Sequence, residues 1–213
     1  MPPSTTFHLI RHAEVLNPGG LVYGSLPNFG LSELGARQAV EAAEHLAGRP
    51  LAAVWSSPLE RALRTAEIIA ARHRLVVLVD EALIEWRLAD RWAGLPWEDL
   101  PRVRPGELEA YLSDPTNLPF SPESLEVLAK RVAAVVGRLV DRYRGTEFAV
   151  VTHQDPLQAG RLQLLGKPLA GLASNKPVHG AVLTFQTAMD RCRELPGWRP
   201  AETVHFPPAP QVP

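Results

Sequence analysis

Alternation constrains this chain more than any other feature. Short apolar runs that suit buried strands are separated by segments with helical spacing. TFHLIRH (6–12), LAAVWSS (51–57), LVVLVD (75–80) and EFAVVTH (147–153) read as four strands in turn. Between them, Ser32 is placed to cap a helix that carries Ala36, Ala39, Val40, Ala43 and Leu46 on one face. A second helix is expected from Leu59 to His73, just after Pro58. The longest, over 123–143, aligns Leu125, Leu128, Val132, Val135, Val136 and Leu139. Short helices at 97–101 and 106–112, a helix near 156–166, and last strands at 181–186 and near 202–206 complete the reading. Strands with continuous apolar runs, alternating with helices, predict an α/β fold. The expected form is a three-layer α/β/α arrangement with a mainly parallel central sheet and helices on both faces.

In such sheets ligands meet the carboxyl ends of the strands. Three of the predicted strands end in chemically useful residues: Arg11-His12, Ser56-Ser57 and Thr152-His153. Neighbouring parallel strands lie ~5 Å apart, so His12 and His153 are expected at one crevice. A neutral imidazole is a competent nucleophile toward phosphorus when a cation offsets the charge of the phosphoryl oxygens. Arg11 is such a cation, and its planar fork matches phosphate. Arg61 falls in the first turn of the second helix, where free N–H groups and the helix dipole already favour an anion. Arg64, three residues on, reads equally as a solvated charge. Glu85 sits in a stretch dense with Trp86, Trp92 and Trp97, and a carboxyl among aromatic rings is a candidate acid catalyst. Glu81, Asp90, Glu98 and Asp99 are rivals for that role. His179, ahead of the fifth strand, is a further candidate for the same crevice. His8 and His12 are four apart, but on a strand that is ~13 Å, too far to share an ion, so no metal site is expected.

Composition narrows the partners. Lys and Arg number 22 against 23 Asp and Glu, a net charge of −1 that argues against a nucleic-acid partner held through a broad basic surface. The one cysteine, Cys192, excludes a disulfide within the chain, and its neighbours offer nothing to activate the thiol. No apolar run reaches the ~18 residues of a membrane helix, and MPPSTTFHLIRH lacks the pattern of a signal peptide. A reducing cytoplasm is therefore the expected compartment. No linker divides the 213 residues, so 1–206 read as one domain, with a lid or insert near 86–122 over the crevice. The Pro-rich end, 207–213, reads as an extended tail.

LIRHAE, LSELGARQA, SSPLERALRTAE, LIE with WAGLPWEDL, and FAVVTH follow in order along the chain. Together they resemble the histidine phosphatase superfamily, also called phosphoglycerate mutase-like. The resemblance implies that His12 becomes phosphorylated, and that Arg11, Arg61 and His153 surround the phosphoryl group. It places the acid glutamate at Glu85 and suggests Asn17 as a further phosphate contact, one residue earlier than the family pattern has it. It also implies a phosphatase acting on a small phosphorylated metabolite with no cofactor. A mutase, or a catalytically quiet phosphate-binding module, is the alternative. The family's mutases carry a long insertion between the glutamate and the second histidine, and here only 68 residues (153 − 85) separate them. The chain departs from the pattern at Ala13, and at Gln154, Asp155 and Pro156, where glycines are common. Asp155 brings an extra negative charge to that wall.

Overall fold

The computed structural model describes residues 4–188 and 191–203. The chain alternates as β1 (Thr5–Arg11), α1 (Glu33–Leu46), β2 (Leu51–Ser56), α2 (Glu60–His73) and β3 (Val77–Val79). Three short helices follow: α3 (Arg87–Arg91), α4 (Leu100–Val103) and α5 (Glu107–Ser113). Then come α6 (Leu125–Arg142), β4 (Glu147–Thr152), α7 (Gln154–Leu164), β5 (Val182–Ala188) and β6 (Arg191–Glu194). The six strands form one sheet in the order β3-β2-β4-β1-β5-β6. β3, β2, β4 and β1 run parallel, and β5 and β6 are added antiparallel at one edge.

All seven residues of β1 are buried, as a central strand between two covered faces requires. Its side chains alternate between two cores. Ile10 joins Ala149, Val151 and Val54 in a core with Ala42, Leu46, Ala66 and Ile69 from α1 and α2. Phe7 and Leu9 join Phe148, Val150 and Phe185 in the opposite core with Val135, Leu139 and Leu157 from α6 and α7. The strand period of two, set against the helical period, thus builds the three layers. Burial on this scale stabilises by ~25 cal/mol per Å² of apolar surface.

The helix signals act where expected. The Ser32 hydroxyl accepts from the Gly35 N–H, and the Ser124 hydroxyl accepts from the Val127 N–H. Several boundaries differ from the sequence expectation, among them that of β3, which holds only Val77–Val79 of the expected 75–80. α7 starts at Gln154, not near 156, because a proline in the first turn gives up only an N–H that has no helical partner there. The sheet's last strand is Arg191–Glu194, not the segment near 202–206. Glu202 and Thr203 are not in a strand, and 204–206 lie outside the described residues, as does the 207–213 tail. β6 alternates charged and half-buried residues because it pairs on one side only.

A third apolar cluster stands apart from the sheet. Trp86, Leu88, Trp92, Leu100, Leu108 and Tyr111 pack there with Leu125 and Leu128 of α6 and with Leu172. The region read as a lid thus carries its own core, bordering the carboxyl ends of the strands. Among the described residues, no helix is long and apolar enough to cross a membrane.

Candidate active site

β1 and β4 pair in parallel with Arg11 opposite Thr152, so the next residue of each strand emerges at the same sheet end. Those residues are His12 and His153, and their ring centres stand 5.2 Å apart at 61°. The His12 N–H donates to the Thr152 carbonyl at 2.9 Å and locks the two ends together. His12 and His153 are both buried.

The His12 ring is oriented by its own loop. Nδ1 lies 2.8 Å from the Ala13 carbonyl, which can only accept, so Nδ1 carries the proton and Nε2 keeps its lone pair. Burial, followed by the charges of Arg61 and neighbouring imidazoles, holds His12 well below the usual histidine range. The nucleophilic form therefore prevails at neutral pH. His153 is likewise held neutral, first by burial. Its Nε2 is 2.7 Å from the Ser57 hydroxyl at the end of β2, whose oxygen also accepts from the Leu59 N–H. Nε2 is the acceptor within reach of the hydroxyl proton, so the hydroxyl donates to it and the His153 proton rests on Nδ1.

Two buried arginines complete the cation set. Arg11 donates from Nη1 to the Pro177 carbonyl at 2.9 Å, and its Nη2 lies 2.8 Å from His179 Nε2. Because a guanidinium only donates, His179 accepts there. The His179 ring is 5.4 Å from that of His12, so this histidine does reach the crevice. Arg61, in the first turn of α2, donates to the Gly24 carbonyl at 2.7 Å and lies 4.6 Å over the Tyr23 ring. Arg64 turns outward to Glu67. Three N–H groups of this cluster are buried without a hydrogen-bond partner: Arg11 Nε, Arg61 Nε and His153 Nδ1. Leaving a buried donor unpaired costs ~1–3 kcal/mol, and an anion among these side chains would relieve that cost.

Glu85 is the carboxyl that faces this cluster. Its Oε1 accepts from the Trp86 N–H at 2.8 Å. Burial, then the charge of Asp155, lifts it to about 7 against the pull of Arg61 and Arg11. Of its rivals, Asp90 is bound by the Ser25 N–H and Arg87, Asp99 pairs with Arg102, and Glu98 is exposed at the cavity mouth. Arg131 fixes the Glu85 segment from α6. It donates to the carbonyls of Ala82, Ile84 and Glu85 and pairs with Glu123 at 2.7 Å. Nothing in its local sequence marks Arg131 out, because the carbonyls it holds lie 46 to 49 residues away.

Asn17 stands elsewhere. Its side chain closes its own loop, donating to the Leu21 carbonyl at 2.9 Å and accepting from the Leu21 N–H at 3.1 Å. It is not among the cavity-lining residues, so as placed it shapes the loop that carries Tyr23 and Gly24. The extra charge of Asp155 is real but answered: the Lys176 ammonium lies 2.6 Å from Asp155 Oδ1 and also contacts the Tyr111 hydroxyl. Tyr111 donates to Asp155 Oδ2 at 2.9 Å. Asp155, Tyr111 and Lys176 together tie α7, α5 and the 174–178 loop around the mouth.

Arg11, His12 and Glu85 open onto a cavity of about 670 Å³. Among the described residues, no cluster of three or more His, Cys, Asp or Glu side chains could hold a metal ion. Cys192 lies away from the cavity, its thiol pushed up to about 11 by burial.

The family model described as histidine phosphatase superfamily (branch 1) matches residues 7–195. The chain belongs to that superfamily. An uncharacterized protein of Mycobacterium tuberculosis is 42% identical over 177 residues, 79% of this chain and 83% of its own. Phosphoserine phosphatase 1 of Hydrogenobacter thermophilus is 33% identical over 165 residues, 76% of this chain and 77% of its own. Among solved structures, the mycobacterial glucosyl-3-phosphoglycerate phosphatase superposes with a TM-score of 0.80 at 30% identity, covering 90% of this chain and 97% of its own. That phosphatase has also been solved with inorganic phosphate. The superfamily's α/β fold, with a mostly parallel sheet, is the one described above.

Proposed function

We propose that this chain is a phosphatase that hydrolyses phosphate monoesters through a phosphohistidine at His12. One observation carries the reading. A neutral imidazole with a free Nε2 is buried beside His153 and under the charges of Arg61 and Arg11, and Arg11 Nε, Arg61 Nε and His153 Nδ1 lack protein partners. Phosphatase relatives, one of them solved with inorganic phosphate, support it.

The chemistry follows from the protonation states. The His12 Nε2 lone pair attacks phosphorus as the bond to the alcohol oxygen breaks. Glu85, protonated in part near neutral pH, gives its proton to that oxygen, so the product leaves as a neutral alcohol. Arg11 and Arg61 hold the equatorial oxygens from buried positions, where fixed donors act most strongly. In the second step water attacks the phosphohistidine and its proton passes to the Glu85 carboxylate. The P–N bond breaks and inorganic phosphate departs. One ester and one water are consumed; one alcohol and one phosphate are formed. His153, held by Ser57, orients the phosphoryl group through Nδ1, and His179 fixes Arg11.

Phosphate release from a panel of monoesters, comparing wild type with His12→Ala, tests this reading. Release by the wild type alone supports it. Equal release by both proteins overturns it, as does release that depends on added bisphosphoglycerate, the mark of a mutase.

A further inference from the structure

The alcohol that leaves is held by the cavity wall beyond Arg11, His12 and Glu85. That wall is apolar: Trp86, Leu88 and Trp92 come from one side, Leu108, Leu172 and Val178 from others. The polar handles of Trp86 and Trp92 are used behind the wall. The Trp86 indole N–H donates to the Glu123 carbonyl, and that of Trp92 donates to the Glu107 carboxylate, each at 2.8 Å. Both rings therefore offer carbon to a ligand. At about 670 Å³ the space is much larger than a phosphoryl group needs, and it lies in the ~300–1,000 Å³ range of sites for whole small molecules.

Charge on the wall points the same way. The cation on this side of the cavity is Lys176, and its ammonium is already bound by Asp155 and Tyr111. Arg11 is committed to the phosphate end by its bonds to Pro177 and His179. Asp155, Glu98 and Glu85, which a carboxylate on the leaving group would meet, are themselves carboxyls, and Gln154 and Tyr23 offer it neutral donors with no charge to balance its own. Desolvating an anion without a new partner is expensive, whereas apolar carbon gains from the same wall.

We propose that the preferred substrates are phosphate monoesters of uncharged, largely apolar alcohols, alkyl or aryl, and not of acids such as phosphoserine or 3-phosphoglycerate. This inference rests on the phosphatase reading and narrows it to a substrate class.

The test is a homologous series. Ethyl, butyl and hexyl phosphate share almost the same leaving-group chemistry, so any trend in kcat/KM reads burial of carbon. Full burial is worth up to ~4-fold per methylene. We expect a rise of at least ~2-fold per methylene, with hexyl phosphate well above 3-phosphoglycerate. The substitution Asp155→Asn supplies the second arm, because it removes the carboxylate charge that balances the Lys176 ammonium and leaves that cation open to an anionic ligand. A hydrogen bond to a charged group is worth ~10-fold or more. The ratio of kcat/KM for 3-phosphoglycerate over hexyl phosphate should therefore rise by about that factor. Any general effect on Glu85 cancels in the ratio. A flat alkyl series, a wild type that prefers 3-phosphoglycerate, or an unchanged ratio in Asp155→Asn overturns the substrate class while leaving the phosphatase intact. Absence of His12-dependent phosphate release from every ester overturns the phosphatase reading itself, and the substrate class with it.

Discussion

Glu85 has been moved from 4.5 to about 7, chiefly by burial and then by Asp155, and this leaves a thermodynamic trace separate from activity. An unfolded chain releases that proton near 4.5, whereas the folded protein holds it until about 7. The sign follows from linkage. Below 4.5 both states are protonated and the stabilising contribution is fully present. As pH rises through about 7 it is lost, because the folded state then carries a buried charge that the unfolded state carries in water. At ~1.4 kcal/mol per tenfold change in proton affinity, the span amounts to ~3 kcal/mol. Glu85→Gln keeps the shape and cannot ionise, so it is free of this loss. The stability of Glu85→Gln minus that of wild type should therefore grow by ~3 kcal/mol between pH 4.5 and pH 8.5. For a chain of this length that is an upward drift of ~6–12 °C in the difference of melting temperatures. The histidines are common to both proteins and cancel. Thermal unfolding in phosphate-free buffers at several pH values is the assay. Parallel curves for the two proteins would refute the protonated buried carboxyl, and with it the acid assigned to the leaving group.

The same groups set the activity profile. kcat/KM should fall as pH rises through about 7, because Glu85 loses the proton it must donate, and the fall should vanish in Glu85→Gln at a much reduced rate. Arg131→Met should destabilise the protein by ~1–3 kcal/mol, since it leaves the carbonyls of Ala82, Ile84 and Glu85 without their donor and breaks the ion pair with the half-buried Glu123; it should also lower kcat more than it raises KM, because Glu85 loses its anchor. Gly35→Ala should be strongly destabilising, by more than ~2 kcal/mol, because a Cβ there would stand 1.9 Å from the Glu14 carbonyl oxygen, two residues after His12; urea unfolding measures it.

The strand ends were legible because they rest on local patterns. TFHLIR and EFAVVT carry consecutive apolar residues that cover both faces, as strands buried on both faces require, and the residue after such a run emerges at the sheet edge. His12 and His153 followed from that logic, and the resemblance to the superfamily singled out Arg61 and Glu85 from their neighbouring candidates. What escaped was set by distant partners. RCRE in β6 lacks an apolar run because it pairs on one side only, so an edge strand of this kind carries almost no pattern. The helix expected near 156–166 starts two residues earlier, at Gln154, since a proline in the first turn leaves the start open. Arg131 and Lys176 matter through hydrogen bonds to residues 21 to 65 positions away, and no periodicity encodes those. Asp155 was visible as a charge, but its neutralisation by Lys176 was not. Asn17 was reached by motif alone, and its side chain is spent on closing the loop in which it sits.

All of these steps converge on one bond, between phosphorus and an imidazole nitrogen. Rapid mixing with an excess of a good phosphate monoester, quenching at alkaline pH and peptide mapping by mass spectrometry would locate it. The account predicts an acid-labile phosphoryl group on His12 that forms and decays at rates compatible with turnover, and is absent from His12→Ala. Turnover with the phosphoryl group found on Ser57, His153 or His179, or with no phosphorylated protein at any time point under conditions that trap phosphohistidine, would contradict it.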